Sequence, residues 1–190
     1  MTINSEKEKN LETEIKIKLV DIAIKEMREK ILNQKFTLVE KNSLEHNIVY
    51  DTKKNKLKKS GLLLRLRRKS GKNVLTLKAP SSKSKELGNY KVREETEVEV
   101  SDFENTAAII TALGFKVFFI YEKYREVYKN GNVKIMVDHT PIGDFLEIEG
   151  EAEEIDKTAA KLGFDKNDYI TASYYSLFVK EHKSGYMQFK

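Results

Sequence analysis

The chain has 190 residues, 39% hydrophobic and 34% charged, with 35 Lys and Arg against 30 Asp and Glu for a formal net charge of +5. That length carries a sizeable core in one domain, and the composition is that of a charge-rich globular protein rather than a disordered or lipid-embedded one. The absence of cysteine excludes disulfides and thiolate metal sites.

No stretch is apolar enough to span a bilayer as a helix. Glu6, Lys7, Glu8 and Lys9 leave no apolar signal region, so a cytoplasmic protein without a membrane partner is expected. Carboxylates interleaved with the basic residues would repel a phosphodiester backbone, so the mild basicity points to a small anion and not to nucleic acid. Pro80 and Pro141 are the only prolines and no Ser/Gly-rich linker divides the chain. One domain over 1–190 is expected, with a core from about 11 to 180 and flexible ends at 1–10 and 181–190.

In chain order, residues 12–18 read Glu-Thr-Glu-Ile-Lys-Ile-Lys. As a strand they set Glu12, Glu14, Lys16 and Lys18 on one side and Ile15, Ile17 and Leu19 on the other. Asp21 is placed to cap a helix through Ile22, Met27, Ile31 and Leu32. Ile48-Val49-Tyr50 predicts a strand turning at Asp51-Thr52, and Lys54 to Lys59 a solvated basic loop before Gly61. Arg65 and Arg67 alternate with Leu64 and Leu66, and Thr76 and Lys78 with Leu75 and Leu77. Ser81, Ser82, Ser84, Gly88 and Asn89 predict a mobile hairpin tip over 81–90.

Lys91, Arg93, Glu95, Glu97 and Glu99 then fall on one parity, and Asp102 can cap a helix through Ala107, Ile110 and Leu113. Lys123 and Arg125 share a face; Lys134, Met136 and Asp138 oppose Ile135 and Val137; Glu147 and Glu149 alternate with Leu146 and Ile148. A third helix is predicted from about Glu153 to Leu162, and Gly114 and Gly163 stand where a left-handed helix cap belongs. Tyr174, Tyr175, Leu177 and Phe178 have the spacing of a packed C-terminal helix rather than a base-binding platform.

One such strand would be an ordinary antiparallel strand with a wet outer face. Six or more, each collecting mixed charge, fit instead a barrel wide enough for water and ligand, its apolar face turned outward under helices.

A triphosphate carries about four negative charges near neutral pH and calls for several fixed cations, arginines above all. Lys16, Lys18, Arg65, Arg67, Lys78, Arg93, Lys123 and Arg125 are candidates. Mg2+ or Mn2+ would need oxygen donors, and Glu12, Glu14, Asp138, Glu147 and Glu149 qualify, with Glu95, Glu97 and Glu99 in reserve. His46, His139 and His182 lack metal-ligand spacing, and the chain has neither a Walker-type loop nor a nucleophile elbow. Glycoside hydrolysis fits poorly, because the arginines would depress the pKa that its acid needs.

Glu12-x-Glu14-x-Lys16 resembles the ExExK signature of the CYTH superfamily, the triphosphate tunnel metalloenzymes. The similarity continues through Tyr50-Asp51-Thr52, Leu64-Arg65-Leu66-Arg67-Arg68, Leu75-Thr76-Leu77-Lys78, Arg93-Glu94-Glu95-Thr96-Glu97, Lys123-x-Arg125, Asp138 and Gly143-Asp144-Phe145-Leu146-Glu147-Ile148-Glu149. These motifs run in order over nearly the whole chain.

The resemblance implies an α+β fold, an eight-stranded antiparallel β-barrel forming a tunnel with helices packed outside. It implies metal binding by Glu12, Glu14, Asp138, Glu147 and Glu149, phosphate binding by Lys16, Arg65, Arg67, Lys78, Arg93, Lys123 and Arg125, and a catalytic set of Lys16, Arg67 and Lys78. The cofactor implied is Mg2+ or Mn2+, and the partner a small-molecule triphosphate: inorganic, thiamine or nucleoside triphosphate. Hydrolysis of the terminal phosphate is the leading expectation. A class IV adenylate cyclase is the alternative, since the Gly143–Glu149 segment and Ser173-Tyr174-Tyr175 most resemble that branch. Lys9, Asn10 and Leu11 replace the His-Phe pair that precedes the signature in some established cyclases. A non-catalytic polyphosphate- or nucleotide-binding module is the third expectation, and a monomer and a homodimer both stay open.

Overall fold

The computed structural model describes residues 11–182 and 184–190. The expected flexible end at 1–10 lies outside them.

Eight strands, β1 (Leu11–Lys18), β2 (Thr37–Thr52), β3 (Leu63–Lys69), β4 (Lys72–Pro80), β5 (Lys91–Val100), β6 (Phe115–Asn130), β7 (Val133–Thr140) and β8 (Gly143–Glu149), form a closed barrel. Every pairing is antiparallel, and the order around the barrel is β1-β5-β4-β3-β2-β6-β7-β8. Among the described residues five α-helices accompany them: α1 (Ile24–Asn33), α2 (Lys56–Lys59), α3 (Phe103–Ala112), α4 (Ala152–Leu162) and α5 (Tyr174–His182). This is the α+β barrel with outer helices that the charge alternation anticipated.

The main core lies outside the barrel wall. Ile15 and Ile17 of β1, Ile135 and Val137 of β7, and Leu146 and Ile148 of β8 pack with Met27 and Ile31 of α1 and Ile155, Ala159 and Leu162 of α4. Each such side chain contributes about 1.5–3 kcal/mol by leaving water, so these strands must turn their charged parity inward. Tyr50 and Leu66 pack with Phe103 and Ile110 of α3.

Local chemistry explains the helix ends. The Asp102 carboxylate accepts from the Asn105 backbone N–H at 2.7 Å and starts α3, and Gly163 stops α4 at φ 95°. Asp21 does not cap α1. It sits in a left-handed turn at φ 58°, which an aspartate tolerates, and Ala23 takes the cap position without a side-chain bond.

The expected basic loop at 54–59 contains the helical turn α2. Its organiser is Asp51, whose carboxylate accepts backbone N–H groups from Thr52 at 2.6 Å, Leu57 at 2.9 Å and Lys58 at 2.9 Å. Burial pushes the Asp51 carboxyl up, but these donors hold it below the usual carboxylate range. Within the 81–90 tip the Ser84 hydroxyl donates to the Val92 carbonyl at 2.7 Å and Leu87 packs on the main core.

Near the C-terminal end Met187 adds a bridge to β6. Met187 is fully buried, its N–H donates to the Ile120 carbonyl at 3.0 Å, and its carbonyl accepts from the Glu122 N–H at 2.8 Å. Among the described residues no helix is long and apolar enough to cross a membrane.

Candidate active site

The barrel encloses a cavity of about 1060 Å³. Strand register decides who meets whom on its wall, and it mostly sets unlike charges opposite each other. Lys16 faces Glu147, Lys78 faces Glu95, Glu45 lies between Lys69 and Lys123, and Glu14 faces Lys91. The side chains close these pairs: Lys16 to Glu147 at 2.8 Å, Lys78 to Glu95 at 3.2 Å, Lys91 to Glu14 at 2.5 Å and Lys69 to Glu45 at 3.1 Å. Lys78 also bonds Glu12.

Three facing pairs break the rule: Lys69 with Lys72 and Lys129 with Lys134 are basic, and the third is acidic. Glu14 also faces Glu149 directly across the β1–β8 ladder, with Glu12 and Glu147 on the same two strands. Like charges in that position repel. Burial, followed by the charge of Glu14, raises the Glu12 carboxyl above its ordinary value against the pull of Lys78. For Glu14 burial also pushes upward, but Lys91, Lys16 and Lys78 win and bring it to about 2.

The basic wall grades from fixed to loosely held groups. Arg65 is buried, donating to Thr76 Oγ1 at 3.2 Å and Tyr121 Oη at 3.3 Å and pairing with Glu97 at 3.4 Å. Arg67 lines the cavity with only distant partners, Glu97 at 3.5 Å and Glu45 at 4.0 Å. Arg93 donates to the Gly61 carbonyl at 2.6 Å. Gly61 must be glycine there, since φ is 70° and a Cβ would stand 2.8 Å from Pro80 Cγ.

A barrel lined by opposed acidic and basic strands is the arrangement that the sequence motifs imply, and comparison with known proteins agrees. The family model described as CYTH domain matches residues 10–174. The chain belongs to the CYTH domain family. It is 30% identical to "Putative adenylate cyclase MJ0240" of Methanocaldococcus jannaschii over 178 residues, covering 88% of this chain and 98% of that one. Among solved structures, a Vibrio parahaemolyticus protein bearing the same adenylate cyclase description superposes with TM-score 0.76 at 17% identity, covering 88% of this chain and 97% of the other. PH1012 protein of Pyrococcus horikoshii OT3 gives TM-score 0.73 at 26% identity, covering 87% and 98%.

Within this CYTH barrel the cavity brings together Glu12, Glu14, Lys16, Arg65, Arg67, Lys78, Arg93, Lys123, Arg125, Glu147 and Glu149 as expected. Two expected site residues stand apart. Lys18 shares the parity of Lys16 but lies at the end of β1, where its ammonium pairs with Glu181 of α5 at 3.3 Å in a half-exposed position outside the cavity. Asp138 has the inward parity of Lys134 and Met136 on β7 but is fully buried and is not among the residues that line the cavity. Arg125 grips it through two bonds of 2.6 Å, Lys123 reaches it at 3.0 Å, and Tyr174 Oη donates to it at 2.6 Å. These bonds orient two cavity-lining cations and the Tyr174 ring.

Sequence reasoning missed Glu45 and Tyr174 as site residues. Glu45 is 1% exposed, faces the cavity and is held by Lys69, Lys123 and Arg67 through ion pairs alone, since neither oxygen accepts a hydrogen bond of normal geometry. Burial pushes its carboxyl up, but Lys123, Arg125, Arg67 and Lys69 hold it far below the usual range. Tyr174 belongs to α5, whose helical spacing was legible, yet its ring lies 4.5 Å from the Lys16 ammonium and 5.2 Å from that of Lys123. Burial and then the Asp138 charge push its phenol well above the ordinary value.

The acidic strands have the donor chemistry for a divalent ion. Glu12, Glu14, Glu147 and Glu149 offer hard oxygens on neighbouring strands, and a cation between them would relieve the Glu14–Glu149 repulsion. Among the described residues no three carboxylates already converge on one point, because lysines stand between them: Lys78 at Glu12, Lys91 at Glu14, Lys16 at Glu147 and Lys134 at Glu149. Those lysines would have to release the carboxylates to an ion.

Proposed function

We propose that this protein is a divalent-metal-dependent enzyme that binds a triphosphate along its tunnel and transfers the terminal phosphoryl group to water. The observation that carries this reading is one cavity wall that holds both a set of cations, Arg65, Arg67, Lys78, Arg93, Lys123 and Arg125, and a carboxylate quartet on β1 and β8 containing a directly opposed like-charge pair. A ligand that uses both sets is a polyanion accompanied by a cation.

Glu12, Glu14, Glu147 and Glu149 would hold Mg2+ or Mn2+, which neutralises charge on phosphoryl oxygens. Lys16 and Lys78 are paired with acidic residues, and with those acids holding an ion their ammonium groups would be available to phosphate oxygens. Arg67, the least tied arginine on the wall, offers its guanidinium to the phosphate that carries developing charge. Arg125 is held in place by Asp138 and Glu147, so it meets the phosphate chain without having to be ordered first.

The name of the Methanocaldococcus jannaschii relative favours a second reading, attack by a ribose 3′-hydroxyl on the α-phosphate with loss of pyrophosphate. Product analysis separates the two. Incubation with ATP, inorganic triphosphate and thiamine triphosphate in Mg2+ or Mn2+ is expected to give orthophosphate. Cyclic AMP with pyrophosphate would establish the cyclase instead, and tight binding without turnover in either metal would leave a binding module.

A further inference from the structure

The residues that line the cavity reach both ends of the barrel, and the two ends differ in charge. At one, α2 brings Lys58, and Arg93 is tied to the Gly61 carbonyl. At the other, where the β3–β4 and β6–β7 hairpins turn, the lining carries Lys41, Lys69, Lys72, Lys129 and Lys134 against Glu40 and Glu149. Both basic like-charge pairs stand here: Lys69 faces Lys72 across the Ser70-Gly71 turn, and Lys129 faces Lys134. Ser70 and Gly71 take positive φ, 48° and 77°, the geometry of a two-residue turn that leaves its flanking residues face to face. Like charges so placed repel, and an anion relieves them.

These lysines are held differently from the cations deeper in the barrel. Lys72 is 73% exposed and meets Glu99 only at 4.0 Å. Lys41 and Lys129 are exposed, and among the described residues neither has an ion-pair partner. A lysine on a free four-carbon stem is a point charge that attracts an anion but is ill-suited to fix it, whereas Arg65 and Arg125 are already ordered by their hydrogen bonds. Between the two groups lies Glu45, shared by Lys69 of the rim at 3.1 Å and by Lys123 and Arg67 of the inner wall at 3.6 and 4.0 Å. Its charge occupies Lys69, so the rim gathers anions without holding them.

We propose that Lys41, Lys72 and Lys129 form the port through which the triphosphate enters the tunnel, steering the polyanion toward the inner cations by their field and not by a lasting bond. The proposal rests on the reading of the tunnel as a triphosphate site. Charges of one sign at the mouth of a cleft raise the local concentration of an oppositely charged ligand and its association rate, an effect that salt screens beyond about 10 Å at 0.1 M. Groups that only steer act on association, while groups that grip the bound ligand act on dissociation. The port lysines belong to the first kind and Arg67 to the second.

The test is the binding of inorganic triphosphate to the whole chain in EDTA, where a metal-dependent enzyme does not turn over. Calorimetry gives the Kd and phosphorus NMR exchange the dissociation rate, and together they give the association rate. The wild-type association rate is expected to fall roughly ten-fold as KCl is raised from about 20 to about 200 mM. The double variant Lys72→Glu/Lys129→Glu should lower it roughly ten-fold or more at low salt, the gap closing as salt is added, with dissociation within about two-fold of wild type. Both lysines are exposed, and the retained dissociation rate shows that the inner site is intact. Lys58→Glu, at the opposite end, should leave association within about two-fold of wild type. An association rate untouched by the double variant, one that Lys58→Glu lowers as much, or a loss carried by faster dissociation overturns the port and leaves the tunnel reading standing. Failure of triphosphate to bind, in EDTA and in Mg2+ alike, overturns both.

Discussion

Glu14 lies directly opposite Glu149 across the β1–β8 ladder, an acidic like-charge pair in a barrel that sets Lys16 against Glu147, Lys91 against Glu14 and Lys78 against Glu95. Such a pair is costly unless a cation comes between its members, so the site has charge to spare for a metal.

Glu149→Gln tests that pair. Glu149 and its partner Lys134 are 26% and 43% exposed, so losing their pair costs at most about 1 kcal/mol, and relief of the repulsion offsets it. The metal-free melting temperature should stay near wild type or rise, whereas the stabilisation produced by Mg2+ or Mn2+ should shrink. Thermal denaturation with and without each metal measures both. An unchanged metal-induced shift would remove Glu149 from the ligand set.

Arg65 and Arg67 are two residues apart on β3 and should fail differently. Arg67 has partners only at 3.5 and 4.0 Å, so Arg67→Ala should leave the urea midpoint nearly unchanged while triphosphate affinity falls by roughly ten-fold or more, the worth of one charge-assisted bond. Arg65→Ala strips a buried guanidinium from Tyr121, Thr76 and Glu97 and should cost about 3 kcal/mol of stability or more. Two variants with the same urea midpoint would contradict this division between binding and structural arginines.

Tyr174→Phe should separate anchoring from packing. The ring stays between Phe145 and Tyr121, but the buried Asp138 carboxylate loses a 2.6 Å donor, at a cost of about 1.5–3 kcal/mol. The loss should appear as a lowered urea midpoint with an unchanged m value. A midpoint equal to wild type would mean that Arg125 and Lys123 satisfy Asp138 by themselves.

The strands with uninterrupted alternation were the ones legible in the sequence. Glu12 to Lys18 and Leu146 to Glu149 carry one charged and one apolar parity, and the cost of burying the wrong one fixes which side faces the tunnel. In β2 that logic fails over 37–47, because register shifts between Leu38 and Glu40 and between Glu40 and Ser43 reset the parity, and Glu45 went unnoticed with it. Lys18 and Asp138 show a second limit: parity assigns a face of a strand but not how far along the barrel the cavity extends, nor which inward charges are buried under their neighbours. Tyr174 packs in the C-terminal helix as its spacing predicts, but a helical stripe looks the same whether its tyrosine meets only apolar neighbours or also reaches a buried carboxylate.

The last prediction concerns acid. Glu14, Glu45 and Glu147 are buried, yet neighbouring cations hold all three below the ordinary carboxyl value of 4.5, Glu14 at about 2. A carboxyl depressed in the folded state binds fewer protons there than in the unfolded chain, so its stabilisation is complete above about 4.5 and is lost as pH falls through the folded value. Glu12 acts in the opposite sense, since its raised carboxyl takes a proton first in the folded state, but it stands against three. Stability should therefore decline steadily as pH is lowered from about 4.5 toward 2. Glu45→Gln should flatten that decline. At pH 7 it leaves Lys69, Lys123 and Arg67 without their shared counter-charge and lowers stability, while in strong acid the wild-type carboxyl is itself neutral and the two proteins converge. Urea unfolding at pH 7, 5, 4 and 3 checks this. Curves that run parallel over the whole range would show that Glu45 is not held as a carboxylate by the cations around it.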